Sequence, residues 1–296
     1  MKLLQEAITY RREEDSPHTA AISRFNGHVA VDHAALQRQA TPAQTDCTWH
    51  QTLLGRGIIL MKQRLDRLLQ PQIQTHYETG WDTYARTWES SVKQPGMVHV
   101  GDEWGTPQLT EAIVHQYVKP HLPAEAVILE IGSGEGKYSE QLAPLCKVLI
   151  CADVSGKMIE RAQRRLHRWT NIRFEKLSGL DLHPLASEST DFVFSFDCFV
   201  HIEIEDIYCY LQEVKRVLRR GGKGLLHFAN LNSAAGWDKF ITEAPTNRGQ
   251  RKHFDRFCFL TWEIVDQFFR TLELEIVASQ REPWRDILVV FQKGAD

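Results

Sequence analysis

The chain has 296 residues, 25% of them charged, and a net charge of -3, which excludes a bulk electrostatic pull on nucleic acid or on an anionic membrane. That length suits one large domain plus an extension. Six cysteines, Cys47, Cys146, Cys151, Cys198, Cys209 and Cys258, show no C-x-x-C pair and no zinc spacing, so no metal site is expected and a reducing, cytoplasmic setting is the simplest reading.

The opening MKLLQEAITYRREED holds too short an apolar run for a signal peptide, and no stretch approaches the length of a membrane span. Residues 1–50 mix Pro, Gly, His and Gln without a repeat and read as a loosely packed extension. Residues 52–70 differ. Leu54, Ile58, Met61, Leu65 and Leu68 recur at spacings of four and three, which makes one apolar helix face. Arg56, Lys62, Arg64 and Arg67 lie off that face. Such a helix packs on the main domain or on its twin in a homodimer; the competing reading is an interfacial membrane helix. Pro71 ends it. The extension therefore covers 1–74 and the main domain 75–296.

Tyr77, Trp81, Tyr84 and Trp88 share the face of a second helix. That face either packs over a core or lids a site for a cation, which aromatic rings suit. The loop from Gly101 to Gly105 is open to the same two readings. A helix over about Gln108–Tyr117 leads through Pro120 and Pro123 to the stretch around which the chain is organised. Val127 to Ile131 is apolar and rich in β-branched residues, so it reads as a buried parallel strand. Gly132, Gly134 and Gly136 follow at once. A strand that turns directly into a helix needs positive φ and close backbone approach, and glycine supplies both. The next helix, about Tyr138 to Leu145, offers unpaired N–H groups and a positive dipole end. A nucleotide-type ligand is expected at this corner.

The dinucleotide fingerprint G-x-G-x-x-G fails, because Lys137 stands where its third glycine belongs. The spacing is G-x-G-x-G, with Glu130 two residues ahead. A second strand, Val148–Ala152, ends in Asp153, placed to accept two ribose hydroxyls. On LEIGSGEGKYS, ADVSGKMIERA and DFVFSFDCFVHI, the chain from about Thr75 to Lys293 resembles the class I S-adenosylmethionine-dependent methyltransferases. The resemblance implies an α/β fold with a doubly wound, seven-stranded sheet and S-adenosyl-L-methionine as cofactor. Glu130, Gly132, Ser133, Gly134 and Gly136 would then surround its methionine part. Asp153 would hold the ribose, with Val154 and Met158 in the same cofactor set. Gly179 and Leu180 would meet the adenine, and Phe196 would lie beside the methyl group.

Further along, Ile172–Leu177 and Asp191–Phe196 read as strands, and Ile207–Leu218 as a helix ended by Arg219-Arg220-Gly221-Gly222. Lys223–Ala229 is a fifth strand. Residues 231–256 break the alternation with Gly, Ser, Asn, Pro and the basic Arg248, Arg251, Lys252 and His253. An insertion of that length reads as a lid or as a solvated excursion. Thr261–Phe269 is a helix, and Leu274–Ala278 with Asp286–Phe291 closes the sheet.

Methyl transfer requires an acceptor held in line and, for a hydroxyl, a base. Asp197, His201 and His227 are the nearest candidates and His253 a fourth; for each histidine a structural hydrogen bond is an equally open reading. Neither the Asn/Asp-Pro-Pro-aromatic motif of adenine enzymes nor a Pro-Cys motif follows the fourth strand, so Cys198 is expected to be a packed thiol. FSFDCFVHIEIEDIYCYLQEV and LLHFANLNS resemble methyltransferases of bacterial cell-surface polysaccharide and secondary-metabolite pathways. The expected activity is O-methylation of a small molecule or glycan, with no nucleic-acid partner. The alternatives are N-methylation of a small amine, methylation of protein or RNA, or a non-catalytic cofactor-binding scaffold.

Overall fold

In the computed structural model, which describes residues 75–249, 254–282 and 284–295, one sheet runs through the domain. Its strands are β1 (Val127–Ile131), β2 (Val148–Asp153), β3 (Ile172–Lys176), β4 (Thr190–Ser195), β5 (Leu218–Ala229), β6 (Leu274–Gln280) and β7 (Asp286–Lys293). Their spatial order is 3-2-1-4-5-7-6. The first five are parallel, and β7 runs antiparallel to both β5 and β6. Strand order reverses between β1 and β4, so a crevice opens beyond the carboxyl ends of those strands. The helix expected over 52–70 and the basic residues Arg251, Lys252 and His253 lie outside the described residues.

The central strands are apolar on both faces because helices cover both. Neighbours along β1 divide between two cores. Ile128 joins Leu149, Phe192 and Leu225 on one side, while Leu129 joins Ile150, Val193 and Leu226 on the other. The helices are α1 (His76–Ser91), α2 (Pro107–Ile113), α3 (Ser139–Leu142), α4 (Gly156–Arg165), α5 (Ile204–Val217), α6 (Ala234–Asn247) and α7 (Trp262–Thr271). Thr75 caps α1 and Ser155 caps α4 with their hydroxyls. No helix among the described residues is long and apolar enough to cross a membrane.

One expectation changes. The basic-then-glycine run does not close a helix. Helix α5 stops at Val217 and β5 begins at Leu218. Pairing with β4 then jumps from Thr190↔Leu218 to Phe192↔Lys223, so Arg219–Gly222 form a bulge, with Gly221 at φ 71°. The insertion carries a helix, α6. Ser233 caps α6 by accepting from the N–H of Gly236 at 3.0 Å. Gly236 lies so close to the carbonyl of Asn230 that a Cβ there would meet the oxygen at 1.8 Å.

Candidate active site

The glycine corner is stitched to β2. The N–H groups of Gly132 and Ser133 donate to the carbonyl of Ala152 at 2.8 and 3.2 Å. The N–H of Gly134 donates to Asp153 Oδ2 at 2.8 Å, and that of Ser155 to Oδ1 at 2.7 Å. Both carboxylate oxygens are thus oriented by backbone, and each keeps a further lone pair for a hydroxyl. Burial raises the pKa of Asp153, and these two N–H groups pull it back. Glu130 is deeper still, 2% exposed. Burial pushes its carboxyl up to about 8, against the Ser139 hydroxyl that donates to it at 2.5 Å. A buried acid of this kind favours a cation placed beside it.

The three glycines play different parts. A Cβ on Gly132 would meet the Cys198 side chain at 2.5 Å, and one on Gly136 would meet Leu166 at 2.7 Å. Both exist for close packing. A Cβ on Gly134 would meet nothing within 4 Å, because Gly134 faces a cavity that opens to solvent.

Of the residues expected around a cofactor, Glu130, Gly132, Ser133, Gly134, Asp153, Val154, Met158, Gly179 and Phe196 line this cavity, and so do Asp197 and His201. Gly136 sits behind the loop, packed on Leu166. Leu180 points to solvent at 42% exposure, because the positive φ of Gly179, 87°, turns the chain outward there. Neither position is part of the cavity lining. His227 is not part of it either: it is wholly buried and stacks on Phe196 with ring centres 4.2 Å apart.

Helix α1 and the segment before α2 roof the site. Tyr77 and Trp81 from α1 and Val100, Gly101 and Trp104 from the segment line it. Tyr84 and Trp88, on the same face of α1, do not. They anchor the roof by donating to Glu103 Oε1 at 2.6 and 2.9 Å. Lid and packing, the two readings of that aromatic face, are thus divided along its length.

Sequence reasoning missed Glu135 and Lys137, the charges that flank the last glycine of the loop. Glu135 Oε2 accepts from the N–H of Val100 and from Arg161 Nε, each at 2.8 Å, and Oε1 is 2.7 Å from His99 Nδ1. Lys137 Nζ donates to the carbonyls of Gly101 and Gly105 at 2.8 and 2.9 Å. The glycine corner itself therefore fastens the roof. Asp82 adds a third tie, accepting from the Ser155 hydroxyl at 2.6 Å.

His201 ends a single 3-10 turn after β4, Phe199–His201. Its Nδ1 lies 3.3 Å from the carbonyl of Arg256. A carbonyl can only accept, so Nδ1 carries the proton and Nε2 is the basic nitrogen of the neutral ring. Burial lowers the pKa of His201, with Asp197 acting in the opposite direction. Cys198 is a thiol pushed up to about 12 by burial, unsuited to nucleophilic work.

Comparison with known proteins agrees with this geometry. Residues 129–226 match the family model described as a methyltransferase domain. The chain is 30% identical over 163 residues to the probable S-adenosylmethionine-dependent methyltransferase CRG1 of Saccharomyces cerevisiae, covering 49% of this chain and 54% of that protein. It is 43% identical over 69 residues to nodulation protein S of Bradyrhizobium diazoefficiens, covering 21% of this chain and 33% of that one. The chain thus spans about half or less of the length of these relatives. The fold is shared with magnesium protoporphyrin IX methyltransferase of Synechocystis, solved with bound SAH, at a TM-score of 0.55 and 17% identity over 74% of this chain and 96% of that one. Residues 129–226 thus match a methyltransferase domain, and the chain shares the fold of an S-adenosylmethionine-dependent methyltransferase.

Proposed function

We propose that this protein transfers a methyl group from S-adenosylmethionine to a hydroxyl of a small molecule or glycan. The observation that carries this reading is His201, a neutral imidazole on the cavity wall with its tautomer set by the Arg256 carbonyl. The cofactor supplies a methyl carbon already activated by sulfonium charge. Glu130 and the Gly132–Gly134 loop hold its methionine end, Asp153 its ribose and Gly179 its base. His201 Nε2 takes the proton of the acceptor hydroxyl, and Asp197 positions that acceptor. A neutral acceptor is favoured because Lys137, the lysine on the wall, is committed to two roof carbonyls. Among the described residues, Cys146, Cys151, Cys198, Cys209 and Cys258 are free thiols, in keeping with a cytoplasmic setting.

Asp153→Ala is expected to weaken S-adenosylmethionine binding by about 1.5–3 kcal/mol, since charge-assisted hydrogen bonds are lost. Titration calorimetry reads this directly, and an unchanged dissociation constant would remove Asp153 from the ribose site. The reaction itself is tested with methyl-labelled cofactor and matched panels of alcohols, sugars and amines. Label on oxygen in the product supports the reading. Label found only on nitrogen would replace it with amine methylation.

A further inference from the structure

A line of polar groups runs from the cavity wall into the sheet and has no part in the proton transfer assigned to His201. It starts at the partly exposed Asp197, which adopts the left-handed conformation at φ 55°. Such a conformation is unfavourable for a residue with a side chain by roughly 1–2 kcal/mol. The other described non-glycine residues of positive φ are Glu125, Glu188 and Glu273, each in a turn just before a strand. Asp197 alone among them lines the cavity, and strain at such a place calls for whatever holds it.

His227 of β5 does the holding. The backbone N–H of Asp197 donates to His227 Nδ1 at 3.1 Å. The ring also stacks on Phe196, the residue just before, at an interplanar angle of 18°. Because Nδ1 accepts, the proton of the neutral ring sits on Nε2. That nitrogen is 3.1 Å from Asp286 Oδ2, a close charge contact although its angle is poor for a hydrogen bond. Asp286, at the start of β7, is in turn gripped by Arg285 through Nε and Nη2, each at 2.9 Å. A core that needed only filling would be served as well by apolar side chains as by buried charges.

We propose that His227 is a positioning residue for Asp197: through Nδ1 and its stacking on Phe196 it keeps Asp197 in the left-handed turn that presents the carboxylate to the acceptor. Asp286 and Arg285 hold the ring in the tautomer that leaves Nδ1 able to accept. This rests on the reading of the Asp197–His201 wall as the place of methyl transfer.

Two substitutions separate positioning from mere packing. In His227→Asn the side-chain amide falls near Nδ1 and can still accept from Asp197. In His227→Gln it falls near Nε2, facing Asp286, and leaves the Asp197 N–H without its acceptor. Both are assayed on the full chain for kcat, acceptor KM, cofactor affinity and thermal melting. Positioning predicts a fall in kcat of about 10–100-fold for His227→Gln, the scale of a misplaced reacting group. His227→Asn should recover most of that loss, and cofactor affinity should hold in both. Turnover that follows melting temperature in the two variants alike, or that stays normal in His227→Gln, overturns the proposal. Asp197→Asn distinguishes its failure from that of the reaction site. Loss of turnover in Asp197→Asn with normal turnover in His227→Gln overturns positioning and leaves the site standing. Normal turnover in Asp197→Asn overturns the role given to Asp197, and the positioning proposal with it.

Discussion

Gly134→Val is expected to abolish S-adenosylmethionine binding and to leave a folded protein. The reason lies in what surrounds the position. No protein atom lies within 4 Å of a Cβ built there, so the substitution creates no clash inside the chain. Its cost to folding comes from φ, 55°, which disfavours a side chain by roughly 1–2 kcal/mol and a β-branched one by more. A domain stable by about 5–15 kcal/mol survives that. The added isopropyl group instead takes up room in the cavity that Gly134 lines, the proposed cofactor site. Gly132→Val and Gly136→Val should behave differently, because they collide with Cys198 and Leu166 and so damage the fold first. Circular dichroism and calorimetry on the three variants check the contrast. Normal cofactor binding by folded Gly134→Val would mean that the loop serves another ligand.

His201→Ala is expected to lower turnover by about 10²–10⁴-fold with little change in cofactor affinity, the usual contribution of a general base to a reaction at a hydroxyl. The groups proposed to hold the cofactor, Glu130, Gly134 and Asp153, lie on β1, its loop and β2, away from His201 in the chain. The pH dependence has a definite sign. The base form is the neutral ring, and burial lowers the pKa of His201 below its ordinary value. Turnover should therefore stay level through neutrality and begin to fall only below about pH 6.5, the reference pKa of histidine. An acid limb centred above that value would contradict the environment seen for His201. Near-normal turnover in His201→Ala would leave Asp197 as the base.

The two histidines also affect stability with opposite signs. His201 binds its proton more weakly when folded than when unfolded. Its contribution is therefore present above the unfolded pKa and is lost as pH falls through the folded one. At His227, burial disfavours the charged ring, but Asp197 and Asp286 outweigh it and the pKa is raised. Its contribution is complete below the unfolded pKa and is lost as pH rises through the folded one.

The core of the fold was legible in the sequence because its signals are local. Runs such as Val127–Ile131 and Val148–Asp153 bury both faces, and their composition says so. Gly132, Gly134 and Gly136 follow a strand, and all three have positive φ, from 55° to 91°. That Glu130 and Asp153 reach the cavity was legible for the same reason, since each stands at the end of a readable strand. Local signals could also mislead. Arg219–Gly222 had the composition of a helix end, yet they form a bulge inside β5, because Leu218 before them and Lys223 after them both pair with β4, and sheet pairing outweighed the local preference. What only the tertiary structure decided was how residues far apart in the chain divide the work. His201 and His227 are alike in sequence context, each just past or within an apolar strand. One faces the cavity; the other faces Asp197 and Asp286, 30 and 59 positions away along the chain. Glu135 and Lys137 became roof fasteners only because folding brings 99–105 over the glycine loop. A side chain's burial, tautomer and pKa depend on partners that packing supplies, and no local pattern carries that information.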